Sequence, residues 1–204
     1  MNGIQLPAKI NTIHILKPRL DQYYPVLEGL MDVCAQQKIN KRIYDLVYEL
    51  IREQGYYENP LTDITATYEI KTNERSILSL SLINYAFSGG AHGLTIVKSL
   101  TADTKTGEFY ELKDLFKNDV DYVGILSGLI KEHIKNRNII LLDDFNGINP
   151  EQDFYIANKC LIIYFQLYKI TPYVFGFPCF PISVYKIQDI INNEGPLNKM
   201  VYGF

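Results

Sequence analysis

The chain has 204 residues, of which 47% are hydrophobic and 21% are charged, and its formal net charge is −3 at neutral pH. This composition is typical of a soluble globular protein with enough apolar material for one core or two small lobes. A net negative charge argues against a nucleic-acid partner, because binding phosphates requires clustered lysine and arginine. No stretch reaches the ~18 consecutive apolar residues of a membrane span.

The first nine residues lack the basic and apolar regions of a signal peptide. We therefore expect a cytoplasmic protein if the chain is complete. If a signal segment has been removed, we expect an extracytoplasmic or cell-surface protein.

The first part of the chain predicts a strand followed by a helix. Residues 10–16 form a short β-prone run, and the prolines that follow exclude a helix from the next segment. From Met31 to Gln54, apolar residues recur every three or four positions, which places them on one face of a helix. Gly55 is suited to terminate that helix. We assign residues 1–62 to an N-terminal strand–helix subdomain.

Three strands are predicted next. Ile64–Lys71 and Ser76–Phe87 form a hairpin joined by Thr72–Arg75, and Leu94–Thr101 is the third strand. Apolar residues alternate along the first half of Ser76–Phe87 and then shift by one position. Such a shift indicates a β-bulge or a strand that becomes buried on both faces.

The remaining elements complete a sheet–helix–sheet subdomain over residues 63–204. They are the helix Val120–Arg137, the strands Phe154–Ala157 and Leu161–Gln166, and a last short helix Val184–Asn192. We expect the two subdomains to pack as one compact unit. The fold class predicted is α+β, with a mainly antiparallel twisted sheet and two principal helices packed on it.

Several short motifs occur in an order that resembles one known family across nearly the whole chain. They are Tyr24-Pro25, Leu27-Glu28-Gly29-Leu30, Ile39-Asn40, residues 85–93, Thr106-Gly107, residues 112–116, Asp153-Phe154-Tyr155 and residues 161–176. The family is the paired domain of unknown function in the extracytoplasmic part of the anti-sigma factor RsiV. A related domain accompanies the catalytic part of PdaC-type peptidoglycan deacetylases. The resemblance implies a non-catalytic α+β binding domain, whose loops engage lysozyme in RsiV-like proteins.

A glycine-rich segment, Ser88-Gly89-Gly90-Ala91-His92-Gly93, separates two predicted strands. Ser88 lacks the Gly-x-Ser-x-Gly elbow that exposes a catalytic serine. Glycines at a strand bend supply positive φ angles and close backbone approach, which favours a structural role over a catalytic one. Backbone amides beside the His92 imidazole can also bind an anion or a carbonyl group. We therefore list Ser88, Gly89, Gly90 and His92 as ligand-binding candidates.

Aromatic residues are concentrated between residues 164 and 180, and Pro172, Pro178 and Pro181 stiffen the path. The aromatic residues are Tyr164, Phe165, Tyr168, Tyr173, Phe175, Phe177 and Phe180. We assign most of these rings to the core and expect Tyr168, Pro172 and Tyr173 to be exposed. Stiff exposed loops that bear tyrosine lose little entropy on binding. The family resemblance places this loop and the glycine-rich segment among the ligand-facing elements.

These observations favour an RsiV-like, non-catalytic binding domain for a protein or cell-wall glycan, with a lysozyme-like protein or a peptidoglycan fragment as partner. One alternative is a hydrolase that uses His92 with distant carboxylates, and another is a cytosolic interaction protein. The three histidines lie on different predicted elements without a zinc spacing, and Asp143–Gly147 lacks the calcium-loop spacing. No nucleotide-binding motif is present. We therefore expect neither a metal nor a cofactor.

Overall fold

The computed structural model describes residues 7–201 of the chain. The chain divides into two compact units, Met1–Phe109 and Tyr110–Phe204. The first unit contains a five-stranded sheet and the second a three-stranded sheet. The α+β prediction is confirmed, although the strands form two sheets instead of one.

The five strands and one long helix of the first unit follow a simple order. They are β1 (Lys9–Lys17), β2 (Leu20–Glu28), α1 (Val33–Glu53), β3 (Asp63–Glu74), β4 (Ile77–Phe87) and β5 (Leu94–Asp103). The sheet order is β1-β2-β3-β4-β5, and all neighbours are antiparallel except β2 and β3. That pair is parallel because α1 carries the chain back across the sheet between the two strands.

The division between the units differs from the predicted boundary at residues 62 and 63. That position lies between α1 and β3, where Leu20 of β2 pairs with Ile64 of β3. Residues 63–109 therefore complete the sheet that β1 and β2 begin. Packing of the two units into one compact body stays a prediction.

Helix α1 has a defined cap at each end, and the C-terminal one at Gly55 agrees with the sequence prediction. The Asp32 side chain accepts hydrogen bonds from the backbone N–H groups of Cys34 and Ala35, at 2.7 and 3.1 Å. At the other end Gly55 has a φ of 77° and donates to Arg52, while Tyr56 donates to Ile51. This is the Schellman arrangement that glycine favours.

One face of α1 packs on the sheet and forms the core of the first unit. Its buried residues are Ala35, Ile39, Ile43, Leu46, Val47, Leu50 and Ile51. Opposite them lie buried apolar residues of β2, β3, β4 and β5. Burial of each Leu, Ile or Val contributes about 1.5–3 kcal/mol, so this seam is the main source of stability in the unit.

The hairpin between β3 and β4 closes later than predicted. Arg75 and Ser76 have φ angles of 53° and 63°, which is the two-residue turn that matches strand twist. The strand pairing shifts between Ile70 and Thr72, so the bulge lies in β3. In β4 all six residues of Ile77–Leu82 are buried. Beyond Leu82, Asn84 and Ala86 are buried, whereas Ile83 and Phe87 are half-buried and Tyr85 is exposed. The shifted apolar residues therefore lie on the less buried face of β4, and the shift marks neither a bulge in β4 nor burial of both faces beyond Leu82.

The second unit consists of short elements around one helix. They are a 3₁₀ helix at Leu112–Leu115, α2 (Tyr122–Asn136), β6 (Phe154–Ala157), β7 (Cys160–Tyr164), a 3₁₀ helix at Tyr173–Phe175, β8 (Cys179–Ser183), a 3₁₀ helix at Val184–Lys186, and α3 (Pro196–Val201). Asp121 caps α2 by accepting from the backbone N–H of Gly124 at 2.8 Å. The helix contacts β8 through His133 and Arg137, which lie against the Phe180 ring.

The predicted last helix over Val184–Asn192 is wrong beyond its first turn. Ile191 instead forms a β-bridge with Phe116, and Asn192 donates to Leu115 at 2.9 Å. These distant backbone partners replace the hydrogen bonds that a helix would make. Helix α3 begins at Pro196, a position where proline is tolerated because the first helical N–H has no intrahelical partner. Within residues 7–201, no helix is both long and apolar enough to cross a membrane.

Candidate functional site

The glycine-rich segment forms an exposed turn between β4 and β5 of the first unit. Ser88 to His92 are exposed, whereas Gly93 is buried. The Ser88 hydroxyl hydrogen-bonds the Thr62 hydroxyl at 2.9 Å, and Asn59 donates to the Ser88 carbonyl at 3.2 Å. The turn is therefore attached to the loop that precedes β3.

The turn requires glycine at three positions for two different physical reasons. Gly89 and Gly90 have φ angles of 83° and 130°, which L-residues with a side chain rarely adopt. A Cβ on Gly93 would lie 2.5 Å from the carbonyl oxygen of Ala86 and 2.5 Å from the Tyr85 ring. The prediction of positive φ angles and close backbone approach is confirmed.

His92 lies at the exposed surface of this turn. Its Nδ1 is 2.9 Å from the carbonyl oxygen of Gly93 and donates to it, since a carbonyl can only accept. The Ser88 hydroxyl is engaged with Thr62. The turn thus presents an imidazole and glycine backbone groups to solvent, which suits recognition of a carbonyl or an anion.

The second candidate segment is the loop that follows β7 in the second unit. Tyr168 and Tyr173 are exposed as predicted, and their rings stack with centroids 5.4 Å apart and planes at 28°. Pro172 is half-buried and precedes the 3₁₀ helix Tyr173–Phe175, which is closed by a 3.0 Å hydrogen bond from Phe175 to Pro172. The loop is therefore held in one conformation by local contacts.

Exposed apolar side chains extend beyond the residues that the sequence identifies. Val174 is 85% exposed at the tip of the 3₁₀ helix, and Phe175 beside it is also exposed. The backbone N–H of Leu142 donates to Ile170 at 3.0 Å, which brings the segment after α2 against this loop. We name the apolar loop surface by its six members, which are 41–85% exposed: Ile140, Leu142, Tyr168, Tyr173, Val174 and Phe175.

The assignment of most of the seven rings to the core is only partly right, because Tyr168, Tyr173 and Phe175 are exposed. Tyr164, Phe165 and Phe180 are buried, and Phe177 is half-buried. Sequence reasoning missed Ile140, Leu142, Val174 and Phe175, because apolar side chains are assigned to the core by default. The two candidate segments belong to different units.

A cleft of about 730 Å³ lies between α2 and the segment that follows it. Its polar lining comes from Lys131, Glu132 and Lys135 on the helix and from Asp144 and Asn146 on the segment. Asp144, which follows the helix, thus lines the same cleft as two lysines of α2. A wall with charges of both signs suits mixed polar contacts and not a purely anionic or cationic ligand.

Four tyrosines form a cluster on α1 and its surroundings, namely Tyr24, Tyr44, Tyr48 and Tyr57. The rings of Tyr44 and Tyr48 lie 4.5 Å apart. Burial raises the pKa of Tyr48 to about 12, and a hydrogen bond to Tyr44 adds to the effect, followed by the nearby hydroxyls of Tyr44, Tyr24 and Tyr57. The cluster therefore favours neutral phenols in the folded protein.

This cluster predicts a loss of stability at alkaline pH. A folded pKa of about 12 against the usual 10 means that the contribution of Tyr48 is complete below about pH 10. It is lost as pH rises from 10 to 12, since unfolding then releases a proton. In Tyr44→Phe, we expect the pKa of Tyr48 to fall towards 10 without reaching it, because burial remains. Ultraviolet titration of tyrosinate measures it, with Tyr57→Phe as the control of smaller effect; an unchanged Tyr48 titration in Tyr44→Phe would contradict the assignment.

Comparison with known proteins gives two matched segments, one in each of the two units. Residues 17–95 match the family model "Deacetylase PdaC", and residues 113–185 match "Protein of unknown function (DUF3298)". The two matches support a DUF3298/PdaC-type family for this chain. The glycine-rich turn lies in the first match and the aromatic loop in the second. The particular likeness to RsiV stays a prediction.

A curated relative and two solved structures are similar to this chain. "Peptidoglycan-N-acetylmuramic acid deacetylase PdaC" of Bacillus subtilis is 24% identical over 179 residues, which are 84% of this chain and 38% of the relative. A DUF3298 family structure from Bacteroides fragilis has a TM-score of 0.72 at 13% identity, covering 95% of this chain and 97% of its own. Another from Pseudomonas aeruginosa has a TM-score of 0.68 at 13% identity, covering 92% and 95%. At such identities the structures show the fold alone.

Proposed function

We propose that this chain is a non-catalytic binding domain whose ligand is a protein and whose main contact is the apolar loop surface. The observation that carries the proposal is the exposure of six large apolar side chains on two adjoining segments of the second unit. Contiguous exposed apolar groups are uncommon on monomeric proteins and mark interaction sites. By the family resemblance, the partner is a lysozyme-like protein.

The composition of the surface favours a protein over a glycan. Sugar rings stack on aromatic faces, which Tyr168 and Tyr173 offer. However, Ile140, Leu142 and Val174 are aliphatic, and they make up half of the surface. Aliphatic groups gain most from burial against another apolar surface, as in the core of a protein–protein interface.

The conformation of the loop also supports binding. Tyr168 has a φ of 64°, and Gly176, which ends the 3₁₀ helix, has a φ of 65°. Hydrogen bonds inside the loop and to Leu142 hold it in place. A surface that is already ordered loses little conformational entropy when it binds, which favours affinity.

The glycine-rich turn supports a second, polar contact. Its exposed backbone at Gly89 and Gly90 lies beside the His92 imidazole. Such a turn can donate hydrogen bonds to a carbonyl or a carboxylate of a ligand. This contact does not require catalysis, and it fits either a protein or a peptidoglycan fragment.

Calorimetric titration with lysozyme and, separately, with peptidoglycan fragments tests the proposal. We expect heat with the protein ligand and about tenfold weaker binding for Tyr173→Ala, which removes a half-exposed aromatic contact. Tyr57→Ala, on the first unit and also exposed, is the matched control and should bind like the unmodified chain. Binding of glycan fragments alone would favour the glycan ligand.

If the heats with both ligands equal the heats of dilution, the proposal that this chain binds lysozyme or peptidoglycan fragments is refuted. The hydrolase alternative has its own readout in the same samples. Turnover of peptidoglycan fragments that is lost in His92→Ala would support catalysis at the turn.

A further inference from the structure

A row of buried carboxamides crosses the sheet of the first unit. Gln22 of β2 pairs with Ala66 of β3, and Ala66 pairs with Asn84 of β4. Paired residues on neighbouring strands point to the same face, which here is the face covered by α1, since Leu82 and Ala66 belong to the core. Gln22 and Asn84 are both 0% exposed. Two polar side chains therefore lie within the apolar seam.

A third carboxamide reaches the same region from the end of α1. Gln54 Nε2 donates to the backbone carbonyls of Asn84 and Leu94, at 3.2 and 3.0 Å. Gln22 Nε2 donates to the carbonyl of Tyr23 at 3.0 Å. These bonds determine which end of each glutamine carboxamide is the oxygen, so both Oε1 atoms point away from the carbonyls.

Four polar atoms of this group have no hydrogen-bond partner among residues 7–201. They are Gln22 Oε1, Gln54 Oε1, Asn84 Oδ1 and Asn84 Nδ2, and all four are buried. Buried polar groups in folded proteins are almost always paired, because desolvation without a replacement bond is unfavourable. Gln22 and Asn84 lie on one face of the sheet, and Gln54 bonds the backbone of Asn84 itself, so the four unpaired atoms belong to one region of the core and point to partners that are not part of the protein.

We propose that this position is a binding site for a pair of ordered waters. A single water has two hydrogens and can donate to only two of the three oxygens, so the third oxygen requires a second water. The Asn84 amide donates to one of the two. Gln22 and Asn84 are two strand spacings apart, about 9–10 Å between backbones, and the strand between them carries the small side chain of Ala66 at the paired position. This leaves room for small molecules with two to four polar neighbours, which is the usual environment of buried water.

The water pair connects the end of α1 to the strands that carry the glycine-rich turn. Gln54 already bonds the backbone of β4 at Asn84 and of β5 at Leu94. These residues lie on either side of Ser88–Gly93. The waters extend that connection to β2 through Gln22, so the base of the turn is held by a polar network inside an otherwise apolar core.

The first test uses the unmodified full-length chain. Nuclear Overhauser measurements between water and the Asn84 side-chain amide should give cross-peaks typical of long-lived bound water. A high-resolution crystal structure should show two density peaks within hydrogen-bond distance of the four atoms. A dry site by both measurements overturns the proposal.

The second test separates a hydrated site from a dry one by the sign of a stability change. Asn84→Leu removes both unpaired atoms of Asn84 and keeps the number and branching of its side-chain heavy atoms. If waters are bound, the substitution leaves Gln22 and Gln54 without their network, and the unfolding midpoint falls. If the site is dry, the substitution removes two unsatisfied groups, and the midpoint rises, which refutes the proposal. Gln22→Leu should behave in the same way, and the measurements on the unmodified chain decide the matter if neither variant folds.

Discussion

Replacing Gly93 by alanine should destabilise the first unit by about 1–3 kcal/mol. The new Cβ would lie 2.5 Å from the carbonyl oxygen of Ala86, and no side-chain rotation can relieve a contact with backbone. The nearby Tyr85 ring can move, but the turn itself must shift away from β4. Chemical denaturation measures the loss as a lower free energy of unfolding.

Gly128 is the matched control for this experiment. It lies inside α2 with no atom within 4 Å of the position of a Cβ. Gly128→Ala should therefore be neutral or stabilising by about 0.5–1 kcal/mol, because alanine loses less backbone entropy in a helix. If Gly93→Ala unfolds at the same denaturant concentration as the unmodified chain, the close packing of the turn is refuted.

Helix α1 and the turn after β4 illustrate what local sequence can predict. The apolar spacing between Met31 and Gln54 predicts the helix face that packs in the core of the first unit. Gly55 predicts the C-terminal end of the helix, and Asp32 caps its N-terminal end. The positive φ angles of Gly89 and Gly90 are local requirements of the turn, and Gly93 approaches Ala86, which lies seven positions earlier across the same turn. Each of these signals depends on neighbours along the chain, so no knowledge of the tertiary structure is needed.

Strand pairing and the chain end depend on distant partners instead. The parallel pairing of β2 with β3 requires α1 to return across the sheet. Residues 20–28 contain no local pattern that predicts parallel pairing. The segment around Ile191 pairs with Phe116, some seventy-five positions earlier, in place of helical hydrogen bonds. Such contacts override local helix propensity, because a β-bridge at a buried position satisfies backbone hydrogen-bonding groups of both chain segments at once.

The candidate surfaces fall between these two cases. Tyrosine and proline in a stiff loop predict exposure at Tyr168 and Tyr173, since a ring with a hydroxyl tolerates water. Val174 has no such polar group, and an apolar residue between two aromatic ones is assigned to the core in most sequences. Its exposure is visible only after the 3₁₀ helix Tyr173–Phe175 is placed at the protein surface.

Placing a charge at Val174 should weaken ligand binding by at least tenfold, or about 1.4 kcal/mol. In Val174→Asp, a carboxylate would have to lose its hydrating water inside the apolar loop surface when the partner docks. Because Val174 is 85% exposed in the free protein, the free energy of unfolding should change by less than about 0.5 kcal/mol. Calorimetric affinity and denaturant unfolding are measured on the same samples.

Met31→Asp provides the matched control, since Met31 is a fully exposed apolar residue of the first unit, outside both candidate segments. It adds the same charge to the chain and should leave affinity unchanged. Equal weakening in both variants would mean that net charge, and not the apolar loop surface, governs association. Full affinity in Val174→Asp with the fold intact would move the contact away from this loop, and the glycine-rich turn would then be the remaining candidate surface.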